Sequence, residues 1–184
     1  MATDVTKILA ATGGGLAYAG PTATPAPTNS SGALNAGFAE LGVVSDDGLT
    51  ESPNTSTTEI KSWAGVSVKT LITESAFTFT FTLLQTDARS LELYHGGSLV
   101  ANNGVGESKI IVKKTQSNIK SFVFDVLDGS NVVRIYVPTG EVTDVGEIAY
   151  KAGEAVAYQL TITAYPNASN EALTKFFDQD FTLT

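Results

Sequence analysis

Between Ser75 and Leu83 the chain reads SAFTFTFTL, and apolar and polar residues alternate without a break. Successive side chains of a strand point to opposite faces, so Phe77, Phe79, Phe81 and Leu83 share one face and Thr78, Thr80 and Thr82 the other. The pattern predicts a strand with a buried Phe face and a Thr face that can meet water. A slip of one residue would exchange those faces, so the register is strongly specified. The window holds no charge and no proline, and an unpaired copy would be prone to aggregate. Its edges must therefore be paired, within the fold or with a neighbour.

The same reading places further elements on either side. Leu9 to Gly20 (LAATGGGLAYAG) reads as an edge strand weakened by glycine. The prolines Pro21, Pro25 and Pro27 then forbid regular structure, and residues 20–37 are expected to form an extended loop, either a linker or an arm reaching another subunit. Phe38 to Ser45 (FAELGVVS) reads as a strand that turns at Asp46-Asp47-Gly48, where glycine accepts positive φ. Leu49 to Thr58 (LTESPNTSTT) is polar and predicts a long loop. Extended structure resumes at Glu59, breaks at Gly65 and continues to Leu71, so residues 45–63 form one candidate connecting segment.

Thr86 to Gly96 predicts a short helix. Thr86 or Asp87 can cap its free N–H groups, Ala88, Leu91 and Tyr94 share a stripe that can lie on the sheet, and Gly96 or Gly97 can end it. Later strands are expected at Lys109 to Lys114, Ile119 to Leu127 and Val132 to Val137. Asp128-Gly129-Ser130-Asn131 closes a hairpin between the last two, and Pro138 ends it. Ala155 to Tyr165 alternates again and stops at Pro166, and Leu173 to Thr184 follows. Strands at short spacing with one helix predict a mainly β fold, a β-sandwich or partial barrel with one short flanking α-helix, in a single domain over residues 1–184.

Composition agrees and removes several functions. At 184 residues the chain can bury a sizeable core, and its 16% charged residues favour strands. A net charge of -8 gives no counterion release on nucleic acid, so tight DNA binding is not expected. The acidity either serves solubility alone or keeps a polyanion from adhering. With no cysteine, disulfides and thiolate metal sites are excluded. The N-terminus lacks the pattern of a signal peptide and no stretch approaches the ~20 apolar residues of a membrane span, so folding in a cytoplasm is the expectation and the sequons at Asn29, Asn54 and Asn167 then carry no meaning.

No catalytic constellation emerges. His95 is the sole histidine, with neither a Gly-x-Ser-x-Gly elbow nor a cysteine for it to activate, and it sits where a helix C-terminus favours partial positive charge. Asp46-Asp47-Gly48 lacks the alternating ligands of a calcium loop. Asp178 and Asp180 would share a strand face, where charges chiefly block unwanted pairing. Gly13-Gly14-Gly15 fits no phosphate-binding loop, and Lys113-Lys114 is an isolated basic pair. No cofactor and no metal are expected. Trp63, the sole tryptophan, is either a core residue or an interface anchor.

The run LNAGFAELGVVSDDG from Leu34 to Gly48 resembles the N-terminal portion of the major tail proteins of long, non-contractile-tailed phages, most strongly those infecting actinobacteria. The features that carry it are Phe38, Leu41-Gly42, Asp46-Asp47-Gly48, Thr50-Glu51-Ser52, the stretch Thr57 to Trp63, Gly65-Val66, the Phe/Thr strand with its Leu-Gln-Thr exit, and the helix Ala88 to Tyr94. The resemblance spans about residues 10 to 165. It implies hexameric rings stacked into a tail tube that encloses a tape-measure protein, meets tail terminator and tail-tip proteins, and passes DNA to the host without specific binding or a membrane. It implies a virion protein assembled in the bacterial cytoplasm. On that reading Asp46, Asp47, Thr50, Glu51 and Trp63 are subunit-interface candidates. Thr78, Thr80 and Thr82 are lumen-lining candidates on a strand whose open edge pairs with the next subunit, and the helix braces that wall from outside. The rival expectations are a capsid decoration or head-completion protein, and a β-sandwich carbohydrate-binding module. The latter lacks the aromatic platform such modules use.

Overall fold

The computed structural model describes residues 9–96, 100–102, 106–112 and 117–179. Its strands are β1 (Gly15–Gly20), β2 (Ala39–Lys61), β3 (Ser67–Leu83), β4 (Val100–Asn102), β5 (Ser108–Ile110), β6 (Ile119–Asp128), β7 (Asn131–Val145), β8 (Tyr158–Ala164) and β9 (Thr174–Phe177), with one helix, α1 (Ala88–Tyr94). Seven strands form one antiparallel sheet in the order β6-β1-β2-β3-β8-β7-β9, and β6 also pairs with β7. That extra pairing closes the sheet into a barrel, with β9 attached to β7 and β4–β5 forming a separate pair. The fold is mainly β with one short helix; closure gives β3 partners on both sides from Phe77 to Leu83, while β2 beyond Val43 pairs with β3 alone.

The core follows from the alternation. Phe79, Phe81 and Leu83 are buried inside the barrel and Phe77 is partly buried against the same cluster. The ring of Phe124 lies 5.5 Å from Phe79 and 5.3 Å from Phe81, and Phe122 stacks on Phe124 at 6.4 Å. Each such ring contributes ~150–250 Å² of buried surface, which makes this cluster the main source of stability. Gly140 is shaped by the same packing, because a Cβ there would stand 2.8 Å from Phe122 Cδ2 and 3.0 Å from Ile162 Cγ2.

Several expectations are revised. The Phe/Thr strand is not an open edge: β3 pairs with β2 on one side and with β8 on the other from Phe77 to Leu83. β1 is likewise internal, between β2 and β6. The polar stretch 49–58, expected as a loop, is strand, paired with β3 from Leu49↔Phe81 to Lys61↔Ser67. Asp46-Asp47-Gly48 forms no chain reversal but an irregularity in β2, between Val44↔Leu83 and Leu49↔Phe81, where Gly48 takes φ 69°. Pro138 does not end β7 and instead sits beside a register shift opposite Lys120/Phe122, where its missing N–H leaves no ladder bond unmade and its carbonyl accepts a hydrogen bond from Ser121 Oγ at 2.7 Å.

In α1 the N-cap is Asp87, whose side chain accepts from the Ser90 N–H at 2.8 Å. The fully buried residues are Ser90 and Leu93, with Leu91 and Tyr94 partly buried against the core, and Ala88 is exposed. Ser90 Oγ donates to the Leu41 carbonyl and Tyr94 Oη donates to the Gly146 carbonyl. The helix therefore closes the barrel end formed by the start of β2, the end of β7 and the start of β8, rather than bracing the wall from outside. The Lys109 to Lys114 strand shortens to Ser108–Ile110 before Lys113 and Lys114, which lie outside the described residues, as does Asp180.

Candidate assembly surface

Three surfaces stand out, and each begins with a local sequence feature. The first is the outer face of β2, β3, β8 and the second half of β7. Strand alternation puts Thr78, Thr80 and Thr82 there, all half-buried by their neighbours. Thr80 is in register with Thr50 and Thr161, and Thr78 with Ser52 and Thr163. The hydroxyls interlock: Thr80 Oγ lies 3.1 Å from Thr161 Oγ, Thr143 Oγ 2.8 Å from Thr163 Oγ, and Thr78 Oγ donates to the Ser52 carbonyl at 3.3 Å. Residues 39–56, 72–83, 138–145 and 158–164, which build this wall, contain no Lys or Arg, while Glu141 and Asp144 stand in register with Thr163 and Thr161. The result is a hydroxyl surface of negative sign.

The second surface is a two-stranded arm. β1 leaves β2 after Val43, and β8 leaves β3 at Phe77, so beyond Asn54↔Ala76 the β2–β3 hairpin has no third strand. Eight residues from Asn54 to Lys61 extend roughly 25 Å at about 3.3 Å per residue. Its tip is tied by Ser62, whose N–H donates to the Val66 carbonyl at 2.7 Å and whose carbonyl accepts from Gly65 N–H at 2.9 Å. Trp63 on this tip is fully exposed (107%), and Ile72 is 70% exposed. Ile60, Val66, Val68 and Leu71 are exposed on the same arm. Large apolar side chains standing exposed along a projecting hairpin mark an interaction surface.

The third feature is the outer face of β1, β6 and β7, where residues 21–38 pack. Phe38, Val123 and Tyr136 make a small second core with Tyr18, Leu34 and Phe176 around it. Beneath the loop, Arg134 donates to both carboxylate oxygens of Asp125, at 2.7 and 2.8 Å. Its Nη1 donates to the carbonyls of Asn29 and Gly32, at 3.2 and 2.7 Å. The hydrogen bonds to Asp125 raise the guanidinium pKa above its ordinary value, against the opposing effect of burial. The expected extended loop 20–37 is thus irregular in backbone but seated on its own barrel.

The five residues read from the sequence as interface candidates do not form one patch. Asp46 and Asp47 are exposed at the β2 irregularity, and Thr50 belongs to the hydroxyl wall. Glu51 is half-buried and ion-paired with Lys175 at 2.6 Å, which joins β2 to β9 within one subunit. Trp63 alone occupies the arm. Missed from sequence were the apolar residues around Trp63, hidden because Val66, Val68, Leu71 and Ile72 read as an ordinary half-buried strand, and the Asp125–Arg134 pair. Among the described residues there is no group of three His, Cys, Asp or Glu that could hold a metal, and no helix long and apolar enough to cross a membrane.

Comparison with known proteins adds three findings. The sequence model of the family described as phage tail tube protein matches residues 1–184. A search of curated proteins returns no match. Among solved structures, the chain is similar to the tube-terminating cap of the anti-feeding prophage, with a TM-score of 0.50 and 12% identity over 95% of this chain and 93% of that one. It also resembles a chain of the sheath–tube complex of an extracellular contractile injection system in its extended state, with a TM-score of 0.49 and 10% identity over 95% of this chain and 98% of the other.

Proposed function

The chain belongs to the phage tail tube protein family, and from that membership we propose that copies of it self-assemble into hexameric rings that stack into a tube delivering DNA to the host. It is a structural component of the virion tail. The observation that supports self-assembly most directly is the projecting hairpin, which exposes Ile60, Trp63, Val66, Val68, Leu71 and Ile72 on a segment its own barrel leaves uncovered. An isolated two-stranded ribbon is marginal in water, so such an arm gains its order from a neighbour.

The hydroxyl wall fits the lumen. DNA carries one charge per ~1.7 Å of duplex, so a basic wall would hold it and a wall without Lys or Arg lets it pass. Thr78, Thr80 and Thr82 are assigned to that face, with Thr50 beside them. The segment from Asp46 to Trp63 is assigned to contacts between subunits, with Glu51 as an internal tie instead. The further partners are a tape-measure protein inside the tube and terminator and tail-tip proteins at its ends. A long, non-contractile tail of an actinobacterial phage is the sequence-level assignment of the particle.

Negative-stain microscopy of the purified protein at high concentration tests this reading. Stacked rings are the expected result, and a protein that remains monomeric at every concentration overturns it. For the lumen, a Thr80→Arg variant should assemble normally but impair DNA delivery. Unchanged delivery removes the Thr face from the lumen.

A further inference from the structure

The barrel carries an apolar cavity of about 350 Å³ where β2 departs from β1. Phe81, Phe124, Val44 and Leu49 line it together with Ser45 and Asp46. Ligand-sized pockets span about 300–1,000 Å³, so this one lies at the lower end of that range and has room for a single aromatic side chain. Ser45 Oγ is buried and has no hydrogen-bond partner. A hydroxyl both donates and accepts, so Ser45 Oγ can take a hydrogen bond from a group that enters the cavity.

The most exposed aromatic side chains among the described residues are Trp63 and Tyr150, and of these Trp63 is the one carried on the projecting hairpin. Trp63 stands fully in solvent at the hairpin tip, and its indole offers one N–H donor and no acceptor. The charges also match. The tip carries exposed Lys61 and Lys69 with Glu59 beside them and is net positive, while Asp46 and Asp47 are exposed on the β2 segment beside the cavity. We propose that Trp63 of one subunit inserts into the cavity beneath the β2 irregularity of a neighbouring subunit, with its indole N–H on Ser45 Oγ and the tip lysines facing Asp46 and Asp47.

This contact joins two different patches of the same molecule. Such head-to-tail contacts generate rings when the rotation closes and filaments when it does not, which is the symmetry a tube requires. It gives the irregularity at Asp46-Asp47-Gly48 a role, because a regular β2 would run on beside β1 and leave no opening. A buried Trp at the centre of an interface is also the residue type that most often dominates binding. The inference rests on the self-assembly reading above.

The sole tryptophan reports directly on its own surroundings. In dilute wild-type protein its emission should be that of a solvent-exposed indole, and it should shift to the blue and resist acrylamide quenching as scattering shows assembly. Trp63→Ala should raise the concentration needed for assembly at least roughly 30-fold, as expected of an interface hot spot, with the melting temperature unchanged. Position is tested in the cysteine-free background. An Ala64→Cys/Asp47→Cys variant treated with a short bis-maleimide should give ladders longer than dimers, while each single variant stops at dimers and an Ala64→Cys/Thr163→Cys control gives no ladder. Assembly with an exposed indole, or with no ladder in the first pair, overturns the contact and leaves self-assembly standing. A wild-type protein that never assembles overturns both.

Discussion

Arg134 and Asp125 face each other across the β6–β7 hairpin, joined by two parallel hydrogen bonds of 2.7 and 2.8 Å, and both residues are buried. Planar guanidinium and carboxylate make this bidentate geometry strong, and the spare nitrogen of Arg134 holds two carbonyls of the loop above. A buried pair of this kind is most costly when half of it is removed. Arg134→Met should destabilise the protein by about 3–5 kcal/mol, because the Asp125 carboxylate stays buried without a partner. Denaturant unfolding measures it. Arg134→Met/Asp125→Leu should recover most of that loss, and in both variants residues 21–37 should become more sensitive to protease.

Gly140 tests the packing of the barrel. Gly140→Ala places a methyl group against Phe122 and Ile162, and overpacking of this degree should cost about 1–3 kcal/mol. The thermal midpoint should fall. A midpoint equal to that of the parent would show that the two side chains yield freely.

The hairpin arm should be separable from the barrel. Replacing residues 57–73 with Asn-Gly joins Ser56 to Glu74, which are already in register, by a two-residue turn suited to a hairpin. The shortened protein should fold, melt within a few degrees of the parent and sediment as a monomer at concentrations where the parent assembles. Deleting residues 51–56 should behave differently and unfold the domain, since Glu51 pairs with Lys175 and its strand lies against Phe79.

Alkaline pH should weaken the fold through its tyrosines. Burial raises the pKa of Tyr18 above 10.0, helped by Asp125 and Glu40, and burial likewise raises Tyr94, helped by Tyr150 and Glu147. A raised phenol pKa means that the folded chain keeps its proton where the unfolded chain has lost it. The associated stability is complete below pH 10 and falls as pH climbs through the folded value. Urea midpoints measured from pH 8 to 11 should decline at the upper end, and Tyr18→Phe with Tyr94→Phe should flatten that decline. Equal slopes in parent and variant would overturn this.

Much of the molecule is written in short stretches of sequence. The alternation from Ser75 to Leu83 determined which residues fill the barrel, because a strand offers only two faces and only one was apolar. Asp87 determined where the helix begins. The turn at Gly129-Ser130 fixes Asp128 opposite Asn131, and counting back along both strands brings Asp125 to Arg134. That pair was therefore legible in principle, although nothing local announced that its face would be covered by the loop from Pro21 to Gly37. Tertiary structure alone decided the rest. The polar run from Leu49 to Lys61 has weak strand preference of its own and becomes strand because β3 supplies a partner for its backbone groups. Pro138 stays inside a strand because a register shift falls beside it. Whether Trp63 is core or surface could not be read from its neighbours, since burial depends on what lies across the fold and not on the residues alongside. The barrel closes without the arm, and that leaves Trp63 in solvent and the cavity beside Ser45 open on the same chain.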